Sequence, residues 1–339
     1  MPYYINTRTL LSQKTGVQRY LSSILPYLDS EKFQLIGPNP KSRIGGYFWE
    51  QLTLPKLIGK SLLWSPANMG PIKHRNHIVT LHDISVIDHP EWFDKKFAYL
   101  YSLLLPKLTR NAKTIITSSQ FSKERISTVF RIKIEKIQVV HCGLEDKFFN
   151  SERENIGAAN FMSKFPQDYI LYVGSMDPRK NILRLLQAWE KLSLNTDIKL
   201  CVVGANQHSL ARLKFNSIPK NVIFTGYVDD QELLFLYRNA HCFIYPSLYE
   251  GFGLPPLEAM SQKCPVITSD IRPIRDIIGN EAAIFVDPLN VADIVEKIES
   301  VILDDSLRTR LSRKGFEVAS KFRAKKTAKE IEEILTTSI

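Results

Sequence analysis

Eight short runs rich in Val, Ile and Tyr, each closed by Gly, Ser or Asp, constrain the fold of this chain more than any other feature. They read "HIVTLHD", "TIITSS" and "KIQVVHCG" in the first half, then "YILYVGS", "IKLCVVG", "NVIFTG", "CFIYPS" and "PVITSD" in the second. Runs of this composition, each followed by an amphipathic helical pattern, predict parallel strands with crossover helices. A chain of 339 residues exceeds what one core ordinarily organises, and the polar stretch "FFNSERENIGAANFMSKFPQDY" separates the two groups of runs. The expected class is therefore α/β, with two doubly wound Rossmann-like domains facing an interdomain cleft. We place them at residues 1–155 and 169–318, with a linker over 156–168 and a final helix over 319–339.

Composition narrows the functional classes. With 44% hydrophobic and 24% charged residues the chain is not a disordered one. Four cysteines stand at scattered spacings, which gives no zinc site or disulfide framework and fits a reducing cytoplasm. No apolar run reaches membrane-spanning length and no signal peptide is expected, so the location read from sequence is cytoplasmic or peripheral on the inner face of the cytoplasmic membrane. The net charge of +10 is uneven: residues 1–160 hold 22 Lys and Arg against 13 Asp and Glu, whereas residues 161–339 hold 23 against 22. A basic first half points to an anionic membrane surface, an anionic substrate or nucleic acid. Nucleic acid is disfavoured, because the aromatic residues fall in core-like patterns rather than among exposed cations. A second basic run, "RTRLSRKGFEVASKFRAKKTAKE", has its apolar residues at helical spacing and predicts one or two amphipathic helices packed on the protein itself.

Open parallel sheets bind ligands beyond the carboxyl ends of their strands, and the unusual residues cluster there. Residues 247–260, "SLYEGFGLPPLEAM", place Glu250 on a glycine-rich turn and Glu258 in the helix that Pro255 and Pro256 begin. The unpaired N–H groups of Gly253 and Leu254 at that helix start form an anion site, with Phe252 in the same turn. A carboxylate one turn into the helix suits the vicinal hydroxyls of a ribose. After "YILYVGS" the strand closes at Gly174, and Arg179 and Lys180 put a planar fork and a point charge at the positive end of the next helix, a conflict that a diphosphate resolves. His82 follows "HIVTL", where it serves either a reacting hydroxyl or the core, and Gly16 in "KTGVQRY" permits close approach of a ligand. Three other patterns fail. "IGKS" at 58–61 lacks the P-loop glycine, since Leu54 stands at its position; no G-x-G-x-x-G follows a strand; no D-x-D occurs. No nicotinamide cofactor and no metal are expected.

Taken together, "TGVQRY", "WEQLTLP", "LLWSPAN", "VTLHDISVIDHPEWF", "SSQFSKERI", "VVHCGLED", "VGSMDPRKN" and "SLYEGFGLPPLEAM" make the chain resemble the retaining nucleotide-sugar glycosyltransferases of the GT-B fold. Within them it is similar to glycosyltransferase family four and its bacterial O-antigen and lipopolysaccharide mannosyltransferases. The resemblance implies that Arg179 and Lys180 hold the donor diphosphate, Glu258 the ribose, and Glu250 the donor sugar, with the Gly253 and Leu254 N–H groups close by. It implies further that His82 lies near the transferred sugar, that Gly16 faces the phosphates, and that the last helix returns to the N-terminal domain. The implied reaction is metal-independent hexose transfer with retention, from GDP-mannose in the favoured reading and from a UDP-, dTDP- or ADP-sugar in the alternative, onto a glycan or polyprenyl-pyrophosphate-linked acceptor. A phosphorylase or epimerase on the same scaffold, and a non-catalytic nucleic-acid-binding protein, are the competing classes. Two places depart from the family pattern: Lys263-Cys264 precedes "PVI" where a glycine is usual, and Arg275-Asp276 stands where Pro-Glu is usual. Both adjoin the donor helix and bear on donor identity rather than on the reaction.

Overall fold

A computed structural model describes residues 3–11, 16–39, 45–150, 165–192, 197–204 and 218–337. It divides the chain into two compact units, Met1–Glu145 with Phe322–Ile339, and Asp146–Lys321. Of the linker expected over 156–168, residues 156–164 lie outside the described residues.

The first unit holds β1 (Tyr3–Asn6), β2 (Phe33–Ile36), β3 (Leu63–Ser65), β4 (His77–Thr80), β5 (Thr114–Thr117) and β6 (Ile137–Val139) in the order β2-β1-β3-β4-β5-β6. All neighbours pair in parallel. The second unit repeats the plan with β7 (Tyr169–Val173), β8 (Lys199–Val203), β9 (Val222–Gly226), β10 (Cys242–Tyr245), β11 (Val266–Ser269) and β12 (Ile284–Val286), ordered β12-β11-β10-β7-β8-β9 and again parallel throughout. The eight apolar runs of the sequence become β4 to β11, because strands covered by helices on both faces carry no polar side. The four strands without such a run have local reasons. β3 and β12 are only three residues long, β2 is an edge strand with Leu35 exposed, and β1 spells the amphiphilic "YYIN".

The final basic run forms two helices. Asp305–Ala319 belongs to the second unit, where it buries Leu311, Gly315 and Ala319. Gly315 is needed there, since an added Cβ would come within 2.9 Å of Met260 Cγ in the helix Leu254–Ser261. Ala324–Thr337 belongs to the first unit and buries Ala324, Thr327, Ala328, Ile331 and Leu335, one stripe at helical spacing, against the helix Gly16–Ile24 and the turn after it. Thr327 Oγ1 donates to His141 O at 2.8 Å, and Lys32 pairs with Glu332 at 3.1 Å. Where the chain rejoins this unit, Leu144 bridges to Arg323. Gly143 has no space for a side chain, because a Cβ would overlap the Arg323 carbonyl group, which is backbone and cannot yield.

His77 in β4 is fully buried, with no hydrogen-bond partner for either ring nitrogen among the described residues. Burial drives its pKa from 6.5 down to about 3. The folded protein therefore refuses a proton that the unfolded chain accepts below pH 6.5, and stability falls with acidification. Between pH 7 and pH 5 this one group is expected to remove about 2 kcal/mol. Replacing His77 with Leu should flatten the pH dependence of urea denaturation by that amount; a slope unchanged in the variant would contradict the assignment.

Candidate active site

The second unit's site is built from the loops after β7 and β10. Beyond β7, Gly174 donates its N–H to Val203 O, and a Cβ there would meet the Tyr172 hydroxyl at 2.7 Å, so the strand closes on a residue without a side chain. Asp177 then caps the single turn Pro178–Lys180, its Oδ1 accepting from the Arg179 N–H at 3.1 Å and its Oδ2 from Arg179 Nε at 2.9 Å. Asn181 follows in the left-handed conformation with φ 59°, and its side-chain amide donates to Pro246 O at 2.9 Å and Pro288 O at 2.7 Å. The Leu248 N–H bonds Arg179 O at 2.7 Å. These contacts pin the loop after β7 to the loops after β10 and β12, which sets where both cations stand.

Lys180 is buried. Its Nζ donates to the Tyr245 hydroxyl and to Glu250 Oε1, the latter at 2.5 Å, and Tyr245 donates to the same carboxylate oxygen at 2.8 Å. Arg179 Nη1 lies 3.9 Å from Glu250 Oε2. Burial pulls the Lys180 pKa below the ordinary lysine range, and the Glu250 charge opposes that fall. Arg179, Lys180 and Glu250, three residues selected from the sequence, thus form one contiguous cluster with Tyr245 and Asp177. The two cations are balanced by two carboxylates, Glu250 and Asp177, so the cluster is formally neutral, and what it offers an anion is a set of fixed N–H donors rather than net charge.

Next to it, Gly253 precedes the helix Leu254–Ser261 with φ 100° and ψ 53°, a conformation that favours glycine, and an added Cβ would also strike Ile274 Cδ1 at 2.5 Å. Pro255 and Pro256 open the helix, whose first N–H groups have no partner within it. Phe252 is buried in the turn, while Leu254 is half-buried. Glu258 is buried on the helix, and its Oε2 accepts from the Tyr237 hydroxyl at 3.0 Å. Lys263 occupies the left-handed position after the helix with φ 60°, the geometric reason that glycine suits this place. Arg275 is held by Asp270 at 2.5 Å and 2.8 Å and lies 4.0 Å above the Phe285 ring.

Gly16 and His82 belong to the first unit. Gly16 begins its helix in an exposed position, and an added Cβ would meet no atom of the described residues within 4 Å, so packing among them does not require a glycine there. His82 packs its ring edge-on to Tyr20 at 4.6 Å, and its Nε2 bonds Pro66 O at 3.1 Å. A carbonyl partner requires the proton on Nε2, which leaves Nδ1 as an acceptor, and burial lowers the pKa so that the ring is neutral near pH 7. The sequence reading missed Tyr245, Tyr237 and the bracing role of Asn181. Both tyrosines sit inside apolar runs or helices, and their one signal is that a buried phenol hydroxyl needs a partner.

Residues 160–318 match the family described as glycosyl transferases group 1. The chain is 32% identical over 259 residues to the O-antigen chain mannosyltransferase B of Escherichia coli, covering 74% of this chain and 68% of that protein. It is 29% identical over 245 residues to the O-antigen chain mannosyltransferase RfbU of Salmonella typhimurium, covering 71% of this chain and 65% of that one, just under two thirds of its length. Its fold superposes on the crystal structure of WaaG, a glycosyltransferase involved in lipopolysaccharide biosynthesis, with a TM-score of 0.75 at 17% identity over 99% of this chain and all of that one.

Proposed function

Because the chain belongs to the glycosyl transferases group 1 family and is a hexosyltransferase, we propose that it moves mannose from GDP-mannose, with retention at the anomeric carbon, onto a glycan of O-antigen or related cell-surface polysaccharide. The observation that carries this reading is the Arg179, Lys180 and Glu250 cluster beside the helix start at Gly253. Charge develops on the diphosphate as the bond to the sugar breaks, and two fixed cations in a buried setting stabilise it more in the transition state than in the ground state. Glu250 holds Lys180 in place and, with its remaining acceptor capacity, accepts from a sugar hydroxyl. Glu258, oriented by Tyr237, accepts from the ribose hydroxyls. In the first unit, taken by itself, Gly16 leaves room for a phosphate to approach the main chain and neutral His82 offers Nδ1 to a sugar hydroxyl. A phosphate oxygen takes the acceptor proton, so the step calls for no separate base.

Loss of either cation is expected to lower kcat about 100-fold. Glu258→Ala should mainly raise KM for the nucleotide sugar. Steady-state kinetics with mass detection of the glycosylated acceptor decides: three variants with wild-type constants would refute the site, and stabilisation by UDP-, dTDP- or ADP-sugars rather than GDP-mannose in a thermal-shift screen would change the donor.

We further propose that the acceptor is lipid-linked and met at an anionic membrane surface. The support is the helix Lys95–Asn111, which carries Lys95, Lys96, Lys107 and Arg110 without one acidic residue and exposes Tyr99 at 68%, Leu100 at 40% and Leu103 at 46%. Beside it lies an open depression of about 450 Å³ lined by Val86, Ile87, Pro90, Ala98 and Tyr99 together with Glu91, Lys95 and Ser102. Exposed apolar residues flanked by cations suit a phospholipid interface. No helix among the described residues is long and apolar enough to cross a membrane. Sedimentation with vesicles containing phosphatidylglycerol should fall several-fold in a Tyr99→Ser, Leu100→Ser, Leu103→Ser variant and in raised salt. Binding indifferent to both would reject the surface.

A further inference from the structure

The first unit carries a charged cluster of its own at the end of β1. Asn6, the last residue of β1, donates from Nδ2 to Glu50 Oε1 at 2.7 Å and receives the Arg8 N–H on its own Oδ1 at 3.1 Å. Arg8 Nε donates to the same Glu50 oxygen at 3.0 Å. The guanidinium carbon lies 4.7 Å from the centre of the Tyr47 ring, and the Tyr47 and Tyr101 hydroxyls meet at 3.2 Å. Gly46 packs against the stem of Arg8, where an added Cβ would stand 3.3 Å from Arg8 Cδ. Glu50 rides on a π-helical turn, Trp49–Thr53, a rare conformation often found at functional sites, and its neighbour Gln51 fixes that turn by bonding Gly70 O and the Ile72 N–H.

The Glu50 side chain is 1% exposed, yet its Oε2 has no hydrogen-bond partner among the described residues. Burial raises its pKa, and Arg8 and Asn6 counter the rise. A buried carboxylate bonded through one oxygen is a weak structural element, because its desolvation is only partly offset. It does achieve one thing: it immobilises an arginine that is itself 19% exposed, that lies against the Tyr47 ring, and whose Nη1 and Nη2 hydrogen-bond no described residue. Arginine held by a carboxylate beneath, an aromatic face beside and a glycine along its stem is preorganised to receive two oxygens of an oxyanion on its planar fork. The place agrees, since it is the carboxyl end of β1, a strand paired on both sides in a parallel sheet.

We propose that Arg8, positioned by Glu50, Asn6 and Tyr47, is a second phosphate-binding group of this enzyme, carried by the first unit. The ligand chemistry is a phosphate or diphosphate ester, which a lipid-linked acceptor and the nucleotide sugar both possess. The inference rests on the transferase reading for the origin of that phosphate, not for the binding itself.

Calorimetric titration of the full chain with inorganic pyrophosphate tests it. Two classes of site are expected. Lys180→Ala should abolish one and Arg8→Ala the other, while Arg8→Lys, which keeps the charge and loses the fork, and Glu50→Gln should each weaken the Arg8 class about 10-fold or more. A single class removed by Lys180→Ala alone overturns the proposal. So does an Arg8→Ala protein that melts earlier yet binds pyrophosphate as the wild type does, since Arg8 would then be only a counter-ion for Glu50. If Lys180→Ala leaves both classes intact, the donor-site reading fails and this one stands. KM values then assign the source: Arg8→Ala should raise KM for a diphosphate-linked acceptor but not for the same glycan on a neutral aglycone, or else raise KM for the nucleotide sugar. Unchanged KM for all three substrates contradicts a role in turnover.

Discussion

The site in the second unit depends on one buried contact, between the Lys180 ammonium and the Glu250 carboxylate, with the Tyr245 hydroxyl bonded to both. Neither charge is tolerable alone at that depth, and each makes the other possible. The surrounding architecture serves this contact. Lys180 is placed by a short turn that Asp177 caps and Asn181 closes, Glu250 by a loop tied to Arg179 through Leu248, and Tyr245 by its position at the last residue of a central strand. Pairing also keeps the lysine from relaxing into solvent, so the cation is already in position when an anion arrives, which is the form of preorganisation that electrostatic catalysis requires.

Parallel sheets explain why these groups meet. In the order β12-β11-β10-β7-β8-β9, strands β7 and β10 are neighbours although about seventy residues separate them in sequence. Their carboxyl ends bring Lys180 to Glu250, and the helix after β10 brings Glu258 and the Gly253 turn to the same edge. The first unit repeats the logic around β1, where Asn6 and Arg8 meet Glu50 from a segment more than forty positions away. Each unit therefore presents an arginine supported by a carboxylate at its strand ends, reached through different loops.

Much of this was legible in the sequence, for identifiable reasons. Central strands announce themselves because burial on both faces forces continuous apolar runs, and the Gly253, Pro255 and Pro256 turn announces itself because few residues satisfy such backbone geometry. β2, with two of its four residues exposed, and β3, with three residues, give a weaker signal, although β6 is equally short and was legible from its flanking apolar residues. Tyr245 and Tyr237 were hidden by their type: a tyrosine in an apolar run reads as core, and only the fold reveals which carboxylate its hydroxyl meets. Asn181 read as loop punctuation, whereas its left-handed backbone and two carbonyl partners make it the brace of the cation loop. The His82 tautomer was equally invisible, since it is set by the carbonyl of Pro66, sixteen residues away, and no residue type reveals which carbonyl a ring nitrogen will meet. At Lys263 the sequence showed a departure from a usual glycine, and the structure supplies the reason, a left-handed residue that lysine occupies under strain.

The central claim is that the buried Lys180 cation exists to meet a diphosphate. Isotope-edited NMR of the lysine side chains, titrated with pH in the absence and presence of a saturating nucleoside diphosphate, addresses it directly. Burial depresses the Lys180 pKa in the free protein, and a dianion in contact should favour the charged form and raise that pKa on binding. An upward shift confined to Lys180 is the predicted result. A Lys180 titration that is the same with and without bound nucleotide would contradict the account.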